Sequence, residues 1–147
     1  MTDDAPDILQ VEDSPDDAGF FLNAVAETKL GARVQVARDG VAALAVIFGI
    51  GNPDNAMPIL RPRLIVLDLK LPKVGGLEVL RRLKSNLHAR SIPVVVFSSS
   101  HEKRDLVESY HLGVNSYLVK PLDFDEFRTV VRGLAQYWLQ ANHPPQP

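Results

Sequence analysis

Short apolar runs alternate with amphipathic stretches along the whole chain. Ile8-Leu9-Gln10-Val11 is strand-like and ends in the acidic pair Glu12-Asp13. Ser14-Pro15-Asp16-Asp17 then has the signature of a helix start: a serine N-cap, proline in the first helical turn, and carboxylates at the positive end of the dipole. Phe21, Leu22 and Val25 predict that helix's apolar stripe, and Gly31 suits its exit. Arg33 to Ala37 alternates as a second strand would. Asp39 is placed to cap a second helix, with Val41, Leu44, Ala45 and Phe48 expected on its buried face. Between Gly49 and Pro62 lie Gly51, Pro53 and Pro58, so helix cannot continue and a loop, at most with a short turn, is expected.

The next run, Leu64-Ile65-Val66-Leu67, is apolar throughout and is bounded by Pro62 and Pro72, as expected of a strand buried on both faces. It ends in Asp68. Gly75-Gly76 leads into a third helix with Leu77, Leu80, Leu83 and Leu87 expected inward. Pro93 to Phe97 is a fourth strand, followed by Ser98-Ser99-Ser100. His101 to His111 reads as a polar helix anchored by Leu106 and Tyr110 and stopped at Gly113. Ser116-Tyr117-Leu118-Val119 is a fifth strand running into Lys120-Pro121. Asp123, with Glu126 placed for a capping box, starts a last helix whose stripe is Phe127, Val130, Val131, Leu134 and Trp138. The end, His143 to Pro147, is expected to fray.

Five strands alternating with five helices predict a parallel, doubly wound α/β sheet with helices on both faces. Right-handed crossovers favour the flavodoxin-like strand order 2-1-3-4-5. In such a sheet all strand ends share one edge. Glu12 and Asp13, Asp68, Ser98 and Lys120 therefore converge.

Composition narrows the chemistry. The 147 residues are enough for one well-cored domain, 1–147, with a core of about 8–140. A net charge of −2 and the lack of a basic cluster argue against nucleic-acid binding. With no cysteine there is no disulfide, thiolate nucleophile or thiolate metal site. No apolar run approaches membrane-spanning length, and the first residues lack a signal peptide's apolar core, so a cytoplasmic protein without membrane partners is expected.

Carboxylates crowded at one edge repel one another, and a divalent cation relieves this. Oxygen-only donors favour Mg²⁺, with Glu12 and Asp13 holding it directly or through water. Asp68 can give one oxygen to the metal and keep the other as a nucleophile toward phosphorus. Lys120 is placed to neutralise phosphoryl oxygens, and the Ser98 hydroxyl to donate to them. Lys120-Pro121 suggests a cis peptide at Pro121 aiming the lysine inward, although sequence leaves the isomer open.

The acidic pair after strand one, Asp68-Leu69-Lys70-Leu71-Pro72 with Gly76 beyond, Ser98, and Tyr117-Leu118-Val119-Lys120-Pro121 resemble the response-regulator receiver domain from about Ile8 to Leu139. The resemblance implies that Asp68 accepts a phosphoryl group from a sensor histidine kinase or phosphotransfer protein. It further implies that the Lys70 backbone carbonyl joins the metal ligands, and that Ser98 and Tyr117 are the hydroxyl and aromatic whose movement reports phosphorylation. The Gly49–Pro62 segment, the serine run and Tyr137-Trp138-Leu139 are similar to single-domain regulators paired with bacterial phytochromes. Glu12 stands where Asp is commoner, Ser98 where Thr is commoner, and Lys70 adds a cation able to pair with Glu12.

No output domain is expected after Lys120-Pro121, so signalling should run through a surface change or self-association rather than turnover. Phe124, Tyr137, Trp138 and Leu139 exceed what one helix face buries and predict a homodimer. The alternative is a Mg²⁺-dependent phosphatase with Asp68 as nucleophile. Such an enzyme would want a second Asp two residues on, where this chain has Lys70.

Overall fold

In the computed structural model, which describes residues 5–49 and 59–145, the apolar runs form one sheet. Its strands are β1 (Ile8–Val11), β2 (Val34–Ala37), β3 (Leu64–Leu67), β4 (Val94–Ser98) and β5 (Ser116–Val119). They are all parallel, in the order β2-β1-β3-β4-β5. The helices between and after them are α1 (Pro15–Glu27), α2 (Gly40–Phe48), α3 (Gly76–Ser85), α4 (Lys103–His111) and α5 (Phe124–Gln136). The strand-to-helix alternation requires crossovers, and these put α1 and α5 on one face of the sheet and α2 and α3 on the other. Of the stretch expected to loop after α2, residues 50–58 lie outside the described residues. Among the described residues no helix is long and apolar enough to cross a membrane.

Period-two alternation sends neighbouring strand residues to opposite faces. Leu9, Val11, Ile65, Leu67, Val94 and Val96 pack with Ala43 and Ile47 of α2 and Val79, Leu80 and Leu83 of α3. Ile8, Leu64, Val66, Val95 and Phe97 pack with Phe21, Ala24 and Val25 of α1 and Phe127, Val131 and Leu134 of α5. The caps form where the sequence places them. Ser14 Oγ accepts from Asp17 N–H at 3.2 Å, Asp39 Oδ1 from Ala42 N–H at 2.7 Å, and Asp123 Oδ2 from Glu126 N–H at 2.9 Å.

Several inward faces differ from expectation. In α2 the buried stripe is Gly40, Ala43 and Ile47, while Val41 is exposed and Leu44, Ala45 and Phe48 are half-buried. This helix is apolar on every side, so its pattern carries no phase information. The phase is set instead by Gly40, where a Cβ would stand 2.0 Å from the Val74 carbonyl oxygen. Leu22 of α1 and Leu87 beyond α3 are exposed, and Leu77 is half-buried. Leu106 and Tyr110 do not anchor α4. Both face outward, and the small Ser109 is the helix residue buried against the sheet. The described residues contain no cis peptide bond, so Lys120-Pro121 is trans, the isomer that X–Pro bonds favour in the absence of a compensating contact.

Regular structure continues past α5 and ends before the stretch that begins at His143. After α5 the backbone widens into one π-helical turn, Tyr137–Ala141. This shifts the helical phase so that Leu139 is buried and Trp138 half-buried against the α1/α5 core. The Arg63 guanidinium donates to the Leu139 carbonyl and ties the turn to the start of β3. Trp138 and Leu139 therefore belong to the fold, and Phe124 and Tyr137 remain exposed.

Candidate functional site

The site follows from register. Val11 pairs with Leu67, so the next residues, Glu12 and Asp68, leave the sheet side by side. Glu12 N–H donates to the Ala37 carbonyl at 2.9 Å and Asp68 N–H to the Val11 carbonyl at 3.0 Å, which carries each ladder one step beyond its strand. Ser98 pairs with Val119, and Lys120 N–H donates to the Ser98 carbonyl at 2.8 Å. Four separated segments of sequence thus meet at one edge.

There the carboxylates of Glu12, Asp13 and Asp68 each offer an oxygen within 4.8 Å of the others. Glu12 and Asp68 are buried and Asp13 is exposed. Glu12 Oε2 accepts from Ser14 N–H at 3.1 Å, and Asp68 Oδ1 from Lys70 N–H at 3.3 Å. The Lys120 ammonium lies among them, 2.6 Å from Glu12 Oε1 and 2.9 Å from Asp68 Oδ2. It also contacts Asp17 Oδ2 at 2.8 Å. Glu12 therefore pairs with Lys120 rather than with Lys70, whose side chain is exposed.

The electrostatics follow from burial. Burial raises the Glu12 carboxyl to about 7, against the pull of Lys120 and with the Asp68 charge adding to the rise. Burial alone would lower the Lys120 ammonium. Its hydrogen bonds to Asp17 and Glu12 and the Asp68 charge outweigh this and hold it firmly protonated. One ammonium contacts three carboxylates and Asp13 adds a fourth beside them, so the edge keeps an excess of negative charge. Hard oxygen donors with no imidazole or thiolate among them suit a divalent cation of the Mg²⁺, Ca²⁺ or Mn²⁺ type.

Ser98 is fully buried, and its Oγ accepts from Ser100 N–H at 3.2 Å. Tyr117 is half-buried, and its hydroxyl donates to the Ser100 carbonyl at 2.9 Å. Burial raises this phenol above its ordinary range. Ser100 Oγ in turn donates to Asp105 Oδ2 at 2.5 Å. The two candidate switch residues, Ser98 and Tyr117, thus both bond to the turn leading into α4, with Ser100 between them. The serine run on its own carried no signal for Ser100.

Asp17 and Gly76 also belong to the site, beyond what their sequence positions indicate. In the sequence Asp17 has the position of a helix-start carboxylate and nothing more. Its spacing of four from Phe21 marks it as facing the protein, whereas Asp16 shares the outer face with the exposed Phe20. A Cβ on Gly76 would lie 2.3 Å from the Asp68 carbonyl oxygen and 2.5 Å from Leu69 Cα. Only glycine lets α3 begin this close to the Asp68 backbone. Lys70, two residues past Asp68, supplies no carboxyl that could act as a phosphatase's general acid.

Comparison with known proteins agrees with this geometry. The family model of the response regulator receiver domain matches residues 8–132. The response regulator Rcp1 of Synechocystis sp. is 38% identical over 133 residues, 90% of this chain and 88% of that protein. Its Mn(2+)-bound crystal structure has a TM-score of 0.84 at 37% identity, covering 95% of this chain and 98% of that one. The phosphorylated cyanobacterial phytochrome response regulator RcpA has a TM-score of 0.86 at 36% identity, covering 97% and 99%. The bacteriophytochrome response regulator AtBRR has a TM-score of 0.67 at 43% identity, covering 88% and 94%. With matching motifs, strand order and relatives over nearly its whole length, the chain belongs to the response-regulator receiver domains, the phosphorylation-driven signalling proteins of two-component systems.

Proposed function

We propose that Asp68 is the phosphoacceptor, that Mg²⁺ is its working cation, and that the donor is the phosphohistidine of a phytochrome-class sensor kinase or its phosphotransfer protein. The observation that carries this reading is the Lys120 ammonium held between Asp68 and Glu12 at the mouth of the carboxylate cluster. An Asp68 oxygen attacks phosphorus, and an O–P bond forms as the P–N bond breaks. The imidazole leaves with the electron pair. Lys120 neutralises charge on the phosphoryl oxygens, and the Ser98 hydroxyl donates to them. Glu12, Asp13, Asp68 and the Lys70 backbone carbonyl are the groups that would hold the cation. When bound, it supplies positive charge that offsets the transferring phosphoryl group. The hydrogen bond that Ser98 gives to the phosphoryl group then biases Ser98, and through Ser100 the position of Tyr117 and α4.

The titration of Glu12 gives a first test. Its folded value of about 7 lies above the ordinary 4.5, so the apo folded state holds an extra proton between these values. Apo stability therefore falls as pH rises through that window. A cation must displace that proton, so Mg²⁺ affinity measured by calorimetry should rise about tenfold per pH unit below neutrality and level off above it. Glu12→Gln should flatten this profile. Incubation with acetyl phosphate should add the mass of one phosphoryl group only when Mg²⁺ is present. Uptake that persists in excess chelator would contradict the reading.

The signal is read as a surface change. Supporting this, Ser98 and Tyr117 both bond to Ser100 in the turn that leads into α4. Leu106, Val107 and Tyr110 on α4 and the neighbouring Val119 of β5 stand exposed, and such a concentration of apolar side chains favours a homodimer. Light scattering at high micromolar concentration should give a dimer mass, and Tyr110→Glu should shift it toward monomer. A monomer with and without phosphodonor would contradict this.

A further inference from the structure

The Lys120 ammonium has three N–H donors, and all three are committed, to Glu12, Asp17 and Asp68. A phosphoryl oxygen arriving at Asp68 can take a hydrogen bond from this ammonium only if one of those acceptors leaves. The costs of leaving differ. The side chains of Glu12 and Asp68 are 5% and 9% exposed, and that of Asp17 is 33% exposed. A carboxylate released into water recovers its hydration, whereas one left unpaired in a buried site does not. Lys120 is also the only side-chain partner of Asp17 among the described residues. Asp17 lines a groove of roughly 350 Å³ walled by Phe20, Leu122, Phe124 and Phe127, so its carboxylate has open space to turn into.

We propose that Asp17 is a positioning residue acting through Lys120. It holds the ammonium beside Asp68 before phosphorylation and is the acceptor that the phosphoryl oxygen displaces. The inference rests on Asp68 being the phosphoacceptor. With acetyl phosphate as donor, an Asp68 oxygen attacks phosphorus, the bond from phosphorus to the acetate oxygen breaks, and acetate leaves with the electron pair. A phosphoryl oxygen then takes the N–H that Asp17 gives up. The Asp17 charge, compensated until then, faces the groove uncompensated, so the two states differ in charge on the α1 side of the site.

The test is the time course of phosphoryl uptake by intact mass, over a range of acetyl phosphate concentrations with Mg²⁺ saturating. Wild type, Asp17→Ala, Asp17→Asn and Asp17→Glu are compared. Removing the competing acceptor should lower the donor concentration for half-maximal rate roughly two- to fivefold in Asp17→Ala, the scale of a partly exposed ion pair. The maximal rate should move less. Asp17→Asn, which keeps a neutral acceptor in place, should lie between, and Asp17→Glu should return toward wild type. A purely structural role would slow uptake in Ala and Asn alike without changing donor dependence. Wild-type donor dependence in both Asp17→Ala and Asp17→Asn, or a higher half-maximal concentration, overturns the inference alone. Wild type that takes no phosphoryl group overturns the phosphoacceptor reading, and the inference with it.

Discussion

Lys120→Met is expected to slow phosphoryl uptake by about 10²- to 10³-fold, the scale of losing one preorganised electrostatic group aimed at developing charge. The substitution keeps much of the side-chain volume and removes the ammonium that touches Glu12, Asp17 and Asp68. The lysine side chain is 8% exposed, so water cannot readily take its place. Folding should suffer as well, by about 3 kcal/mol at neutral pH, because the buried carboxylates lose their counter-charge. Glu12, already raised to about 7 chiefly by burial, would titrate higher still without the lysine pulling it down. Carboxylates raised in the folded state cost stability as pH rises above their unfolded values. The defect should therefore be largest at neutral pH and shrink on acidification. Urea denaturation of wild type and variant at about pH 5 and pH 7.5 measures this difference, with saturating Mg²⁺ recovering part of the loss at the higher pH.

Asp68→Asn should abolish phosphoryl uptake while leaving the fold intact. The amide oxygen remains an acceptor for Lys120 Nζ or for Lys70 N–H, so the local hydrogen bonds survive in part. What disappears is the nucleophile, since an amide does not attack phosphorus, together with one of three acidic ligands. Intact mass after acetyl phosphate treatment should show no adduct on the variant. Mg²⁺ affinity by calorimetry should fall by at least tenfold, consistent with the loss of one charged ligand from a hard-ion site. The variant should also relieve Glu12 of the Asp68 charge, bringing its titration nearer the ordinary carboxylate range, although burial still holds it up.

The strands and the strand-end residues were legible because buried parallel strands leave uninterrupted apolar runs, and a charge at the end of such a run has few structural uses. Glu12, Asp68, Ser98 and Lys120 could be placed on one edge from topology alone, and register then brought them into contact. Helix caps were legible for a similar reason, since Ser14, Asp39 and Asp123 act over three residues. Helix phase was less so. Nothing in Gly40–Phe48 distinguishes one apolar face from another, and the decision falls to Gly40 against the Val74 backbone, a contact across more than thirty residues. Leu106 and Tyr110 face outward because α4 turns Ser109 to its buried side, and one small polar residue leaves no apolar stripe to read. Asp17 required both the α1 phase and the length of Lys120. The π turn at Tyr137–Ala141 altered the count of exposed aromatics, because no side-chain pattern announces a change of helical pitch.

The most direct measurement is the position of the phosphoryl group itself. After acetyl phosphate and Mg²⁺, borohydride reduces an acyl phosphate to an alcohol, and peptide mass spectrometry then locates the converted residue. Conversion is expected at Asp68 and nowhere else. Conversion at Glu12, Asp13 or Asp17, or a stable phosphate on a serine such as Ser98, would contradict it.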